Sequence, residues 1–196
     1  MAVETDYETY EGFGKDSLKT AAWMLSVIAN SSQIFEQEVN VKLEVSYLKV
    51  WTKPDDPYFQ MGYFLMTDLQ EYLKNNILDV KRDVAVLLIK NPGRLSGGQA
   101  SLDQLGNQES SFLVSGEGAF THELGHVFGS PHTHDCRWPA GPNGTLSPID
   151  RCSHEVYSNC PVWELVDQEG TIMSYCGVYK RSEERRVGKE CRSRWS

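Results

Sequence analysis

Nowhere does this chain of 196 residues stay apolar for the roughly eighteen positions that a membrane-crossing helix needs, so no such span is expected. Positive charge is scarce as well: 19 Lys and Arg stand against 27 Asp and Glu, a formal charge of −8. Nucleic-acid binding wants a basic face, and this balance argues against it. An acidic surface otherwise serves solubility and indicates no substrate. Internal repeats are absent, and cysteine is limited to five residues. None of these forms a Cys-x-x-Cys pair, which removes the usual spacing of a structural zinc site. Against these absences stand a 40% hydrophobic content and a length that suits one domain with an adequate core.

The densest information lies in His122-Glu-Leu-Gly-His126-Val-Phe-Gly129-Ser-Pro-His132. His122 and His126 stand four apart, so on a helix both imidazoles leave one face about a turn apart and can share a metal ion. Glu123 follows the first histidine, where it reaches water at the metal instead of the ion itself. Gly129 is the residue type that ends a helix in a left-handed conformation, and Pro131 keeps the helix from resuming. The turn so enforced brings His132 round as a third nitrogen ligand. Three protein ligands leave a fourth position open, which marks catalytic zinc, not structural zinc. A bare His-Glu-x-x-His recurs by chance in unrelated proteins, and its plain alternative is a packed core helix. Gly129 and His132 at their offsets narrow the match.

Further along, Gly170-Thr-Ile-Met173-Ser-Tyr175 resembles the Met-turn that lies beneath the zinc in metzincin peptidases. Alone it would be a buried methionine in a tight turn. With both motifs present, the chain resembles a metzincin zinc endopeptidase of the reprolysin or ADAM-like branch, over about Ala2 to Gly177. Val3-Glu-Thr-Asp-Tyr7 is similar to the first strand of such a domain. The resemblance implies His122, His126 and His132 as zinc ligands, Glu123 as general base and Met173 as the Met-turn residue. Two features depart from it. Reprolysins usually carry Asp straight after the third histidine, where this chain has Thr133, with Asp135 two residues later. Tyr175 stands two residues past Met173; astacin- and serralysin-like members use a tyrosine at that spacing as an extra, displaceable zinc ligand that stabilises the transition state. The alternative for Tyr175 is a packed, hydrogen-bonded core tyrosine.

The resemblance also implies a fold of the α/β (α+β) metzincin-like class. A twisted mixed sheet with helices would form an upper lobe, a small irregular disulfide-linked region a lower lobe, with the active-site cleft between them. An edge strand pairs with extended substrate in the family, and Gly97 to Leu105 is its counterpart here, although Gly-Gly equally suits a surface loop. The N-terminus shows no charged segment followed by an apolar stretch. The chain is therefore expected to be a fragment whose export signal and any inhibitory propeptide lie upstream of Met1.

Local pattern agrees with a mixed α/β layer. Asp16 suits the N-cap of a helix through Ala21, Trp23, Met24, Leu25, Val27 and Ile28, which recur at helical spacing. Val41 to Trp51 reads as a strand with Leu43, Val45 and Tyr47 on one side. Tyr63 to Ile77 reads as a second helix, Asp83 to Ile89 as a short buried strand, and Gly118 to Phe128 as the histidine helix. From Ser130 to Cys176, Pro, Gly and Cys dominate and periodicity fades, as in a lobe held by cross-links. Cys136, Cys152, Cys160 and Cys176 all fall there, an even set that points to two disulfides and an extracytoplasmic protein. Four buried thiols in a cytosolic protein are the alternative. Of the three pairings, the nested Cys136–Cys176 with Cys152–Cys160 is expected, because it ties the histidine segment to the Met-turn and closes a short local loop. His134 and His154 read as exposed or hydrogen-bonded structural histidines.

These features point to residues 1–180 as the catalytic domain of a secreted, extracellular zinc metalloendopeptidase that hydrolyses peptide bonds in proteins. It would hold one Zn2+, take protein or peptide substrates, bind no nucleic acid and act as a monomer; a calcium site is not readable. Val178 and Tyr179 would border the pocket for the residue after the cut. The rival from another class is a catalytically silent zinc-binding or adhesion module of the same fold. Members that lose activity typically lose the glutamate or a histidine, and all four are present here. Residues 181–196 stand apart: basic, without a sustained apolar face, and resembling a translated cloning adapter, with a solvated basic tail as the ordinary alternative. They stand where the family places a C-terminal helix. A chain ending at Arg181 should match the full chain in zinc content and melting temperature; a melting point several degrees lower would show the tail to be packed structure.

Overall fold

The computed structural model describes residues 1–77, 79–91, 93–95, 97–153, 164–166 and 170–176. The chain divides into two compact units, Met1–Ser130 and Pro131–Ser196. In the first, β1 (Ala2–Thr5), β2 (Tyr47–Val50), β3 (Ala85–Leu88), β4 (Gly98–Ala100) and β5 (Phe112–Ser115) form one mixed sheet in the order β2-β1-β3-β5-β4. Four strands run parallel, and β4 runs antiparallel to β5 at one edge. Parallel strands need a crossover: α2 (Ser17–Val39) joins β1 to β2, α3 (Leu65–Asn76) lies between β2 and β3, and the segment that carries β4 joins β3 to β5.

Alternation along the central strand divides the core. Val84, Val86 and Leu88 meet Trp23, Met24 and Val27 of α2 and the apolar side of α4 (Phe120–Val127). Ala85, Leu87 and Ile89 meet Leu65, Leu69 and Leu73 of α3 on the other face. With both faces covered, every position of β3 is buried, which is why this stretch is apolar without a polar alternation. Each leucine so enclosed contributes roughly 1.5–3 kcal/mol of burial.

Local capping explains where two of the helices start. The Asp16 carboxylate accepts from the N–H groups of Leu18 and Lys19, so α2 starts where its cap predicts. The helix then runs beyond Ile28 because Phe35 extends its buried stripe, and it ends at Asn40 with φ of 55°. β1 is shorter than the expected Val3 to Tyr7, because Asp6 leaves the strand to cap α1 (Tyr7–Gly12), accepting from Thr9 N–H at 2.9 Å. Of the strand expected over Val41 to Trp51, only Tyr47–Val50 pairs, since β1 offers it four residues; Val41, Leu43 and Val45 pack against the α2-side core instead. A 3-10 turn at Gly62–Phe64 takes the start of the second expected helix. α1 and β5 were not foreseen, both being too short to show a period.

In its described part, the second unit has one short 3-10 turn, Pro142–Gly144, and is organised around buried Thr133. The Thr133 N–H donates to Met173 O at 3.1 Å, and its carbonyl accepts from Ile149 and Asp150 N–H at 2.8 and 3.1 Å. Its hydroxyl donates to the Asp150 carboxylate, which also accepts from Cys152 N–H at 3.0 Å. One residue thus gathers the 149–152 segment and the Met173 turn, and Cys152 bonds to Cys176. The nested pairing of Cys136–Cys176 with Cys152–Cys160 does not form. Loop lengths alone favour it, but the hydrogen bonds on Thr133 overrule them. Cys136 is also disulfide-bonded. Cys160, His154, Val178, Tyr179, Cys191 and the 181–196 tail lie outside the described residues.

Non-reducing peptide mapping should recover Cys152 joined to Cys176. Replacing both with alanine should cost about 3 kcal/mol of unfolding free energy, the usual size for a loop of this length. Recovery of Cys152 joined to Cys160 would restore the nested scheme.

Candidate metal centre

The helix that carries two of the histidines, α4, is only eight residues long. A helix of that length is not stable alone in water, so docking must hold it. Phe120, Leu124 and Val127, all fully buried, fasten it to the sheet. Two polar ties reach it from α2: Ser31 Oγ and Thr121 Oγ1 lie 2.8 Å apart, and Trp23 Nε1 donates to Glu117 at 3.0 Å just ahead of the helix. The four-residue spacing then sets His122 and His126 side by side, ring centroids 4.7 Å apart.

The helix ends as its glycine predicts. Gly129 has φ of 94°, its N–H donates to His126 O at 2.9 Å, and Ser130 N–H donates to Gly125 O at 3.0 Å. A side chain at position 129 would also collide with Asp103, whose Oδ1 would stand 2.9 Å from the added Cβ. The segment after β4 caps the helix end. Asp103 N–H donates to His126 O at 2.9 Å, and Gln104 and Leu105 N–H both donate to Val127 O at 3.2 Å. These bonds satisfy carbonyls that a helix end otherwise leaves unpaired.

His126 Nδ1 lies 2.7 Å from Ser130 O. A carbonyl only accepts, so Nδ1 carries the proton and Nε2 the lone pair, the tautomer that a metal ligand needs. His122, His126 and His132, all half-buried, each offer a ring nitrogen, and the three atoms lie within 4.8 Å of one another. Three neutral imidazoles suit a zinc ion. Among the described residues, the other such group is Asp150, Cys152 and Cys176, where both sulfurs are held in the disulfide.

Glu123 is buried at 5% exposure, and burial pushes its carboxyl up from an ordinary value of 4.5 to about 7. A divalent cation on the neighbouring His122 would favour the carboxylate and oppose that shift.

In the second unit, three rings meet. His132 and His134 stack nearly parallel at 4.8 Å, and the Tyr175 ring lies 4.5 Å from His132 and 4.7 Å from His134. Tyr175 is thus packed on the third histidine. His134 is buried at 2% exposure and stacks on His132, which position in the chain did not reveal. Trp138 Nε1 donates to His132 O at 2.8 Å, and the next residue, Thr133, carries the bond to the Met173 carbonyl. Asp135 does not serve Thr133. Burial pushes its carboxyl up, but hydrogen bonds from Arg137 N–H and Nε, both at 2.8 Å, outweigh this and hold it below the ordinary range. The acid that reaches the Thr133 hydroxyl is Asp150, which carries no local signal in the sequence.

A reprolysin family model, metallo-peptidase family M12, matches residues 1–184. No curated protein matches the chain. A solved structure titled "Structure of a chaperone-substrate complex" is 16% identical, with a TM-score of 0.52, over 69% of this chain and 24% of that one. The likeness concerns fold alone, and this chain spans about a quarter of that structure's length.

The buried glutamate makes metal-free stability depend on pH. Between 4.5 and about 7 the folded chain holds a proton on Glu123 that the unfolded chain releases. Stability therefore falls as pH rises through that window. Metal-free Glu123→Gln should exceed metal-free wild type in stability at pH 8 by roughly 1–3 kcal/mol, and the gap should close at pH 4. Chemical denaturation at both pH values measures it, and an equal gap at both would disprove it.

Proposed function

Since the chain belongs to metallo-peptidase family M12, we propose that it is a zinc-dependent endopeptidase that hydrolyses peptide bonds in proteins. The observation that carries the reading is the cluster of His122, His126 and His132, with buried Glu123 following the first of them. The three histidines would hold the ion. When bound, zinc supplies Lewis acidity, polarising the scissile carbonyl and making water acidic near neutral pH. Glu123 accepts the proton of the attacking water and delivers it to the leaving amine. A cation on His122 would favour the carboxylate that accepts the proton, and burial favours the protonated form that hands it on. Tyr175, its ring against His132, is assigned to donate to the oxygen that gains negative charge.

Substrate would lie along β4. Gly97 O accepts from Gly116 N–H at 3.0 Å and Ser101 N–H donates to Phe112 O at 2.9 Å, so these residues face β5. By alternation, the N–H and C=O groups of Gly98 and Ala100 face the open edge, where an extended peptide can pair. Of the segment Gly97 to Leu105, only Gly98–Ala100 is strand, because the chain then leaves to cap α4. The Cys152–Cys176 bond supports secretion into an oxidising, extracellular compartment. The domain would comprise residues 1–180 and act as a monomer. A catalytically silent module would be better supported by a missing glutamate or histidine, and none is missing.

Glu123→Gln should separate metal binding from chemistry. Zinc stays at about one ion per chain, while turnover falls at least roughly 10²–10⁴-fold, the range for losing a general base. His126→Ala should lose both metal and activity, because two ligands hold zinc poorly. Elemental analysis and cleavage of a broad peptide library measure the two quantities. A zinc-loaded wild-type chain that cuts nothing in the library would move the reading to the silent module.

A further inference from the structure

Two glycines open β4, and they answer different demands. Gly97 has φ of 90°, and a Cβ there would meet nothing within 4 Å, so its glycine serves the backbone conformation. Gly98 needs no such conformation; its demand is spatial. A Cβ at position 98 would stand 2.7 Å from both Cδ and Oε1 of Glu123, and closer still to Cγ. Real Cβ atoms essentially never come that near to another heavy atom.

The backbone of β4 cannot give way cheaply, so the Glu123 side chain would have to leave its place. Gly98 is paired with Ser115 of β5, and the segment after β4 is bonded to the end of α4 at Asp103, Gln104 and Leu105. Glu123 is carried on α4 between residues buried against the sheet, and it is itself only 5% exposed. The glutamate is therefore enclosed because the strand across it has no side chain at this point.

We propose that Gly98 is a positioning residue for Glu123: its bare backbone lets β4 close over the glutamate and fixes where the carboxyl lies. This rests on the reading of Glu123 as the general base. The same residue turns its N–H and C=O to the open edge, so the place of the base and the line of a paired peptide are set by one residue.

Four zinc-loaded chains test it: wild type, Gly98→Ala, Glu123→Ala and the double variant. In Gly98→Ala, zinc content should hold and the melting temperature should drop by roughly 3–8 °C from overpacking. Its kcat should fall by roughly 10²-fold, the scale of an ångström of misplacement, with KM nearly unchanged. In the Glu123→Ala background the added Gly98→Ala should leave the melting temperature unchanged, because truncation has made room. An equal melting loss in both backgrounds, or wild-type kcat in Gly98→Ala, overturns the proposal. A rise in KM alone overturns it as well, since that marks damage to peptide pairing. Should Gly98→Ala fail to fold, folding of the double variant is the expected rescue, and its failure overturns the proposal. If wild type cuts nothing, the endopeptidase reading fails, and the melting cycle alone decides whether Gly98 sets the place of Glu123.

Discussion

Three backbone N–H groups, those of Asp103, Gln104 and Leu105, sit on the last carbonyls of α4, and the geometry around the histidines follows from them. They fix the segment after β4 to the end of a helix too short to define its own end. They bring Asp103 so near the chain that position 129 has no room for a side chain, at the point where a left-handed turn is needed. That turn sets Ser130 O against His126 Nδ1 and so selects the ring tautomer. Helix end, edge strand and ligand protonation thus share one set of hydrogen bonds. Each such bond contributes roughly 0.5–1.5 kcal/mol net.

Buried carboxyls elsewhere in the first unit show what sets Glu123 apart. Burial also pushes the carboxyls of Glu4 and Asp6 up, but each is tied into the framework. Glu4 accepts from Trp51 Nε1 at 2.7 Å and from the Tyr58 hydroxyl at 2.8 Å. Asp6 accepts from Thr9 N–H and pairs with Arg94 at 2.9 Å, itself buried among backbone carbonyls. Those acids hold strands and loops together. On Glu123 burial is the cause of the shift, as suits a group kept for chemistry.

Features that depend on residues a few positions apart were legible in the chain. The His122 to His132 spacing, the left-handed Gly129, the Asp16 cap and the apolar run before Ile89 all belong to this kind, and together they gave the mixed sheet and the histidine cluster. Features that depend on distant partners were not. Nothing near Gly98 announces that Glu123 will lie against it, and nothing near Asp150 announces Thr133. The Val41 to Trp51 pattern is a good strand pattern cut short by the length of β1. The disulfide pairing failed for the same reason: Cys152 meets Cys176 through bonds on a residue that belongs to neither cysteine's neighbourhood.

The brevity of α4 makes the spacing of its two histidines a property of the sheet. Eight residues cannot hold a helix unaided, and this one is held by Phe120, Leu124 and Val127 in the sheet's own core. The His122 and His126 pair therefore forms only once the strands have assembled. In small zinc-templated modules the metal drives the chain to fold; here the core of the sheet gives the helix the support that it lacks alone. A substitution at Phe120, Leu124 or Val127 would therefore part the two imidazoles without touching either, so the core of the sheet is part of what spaces the rings.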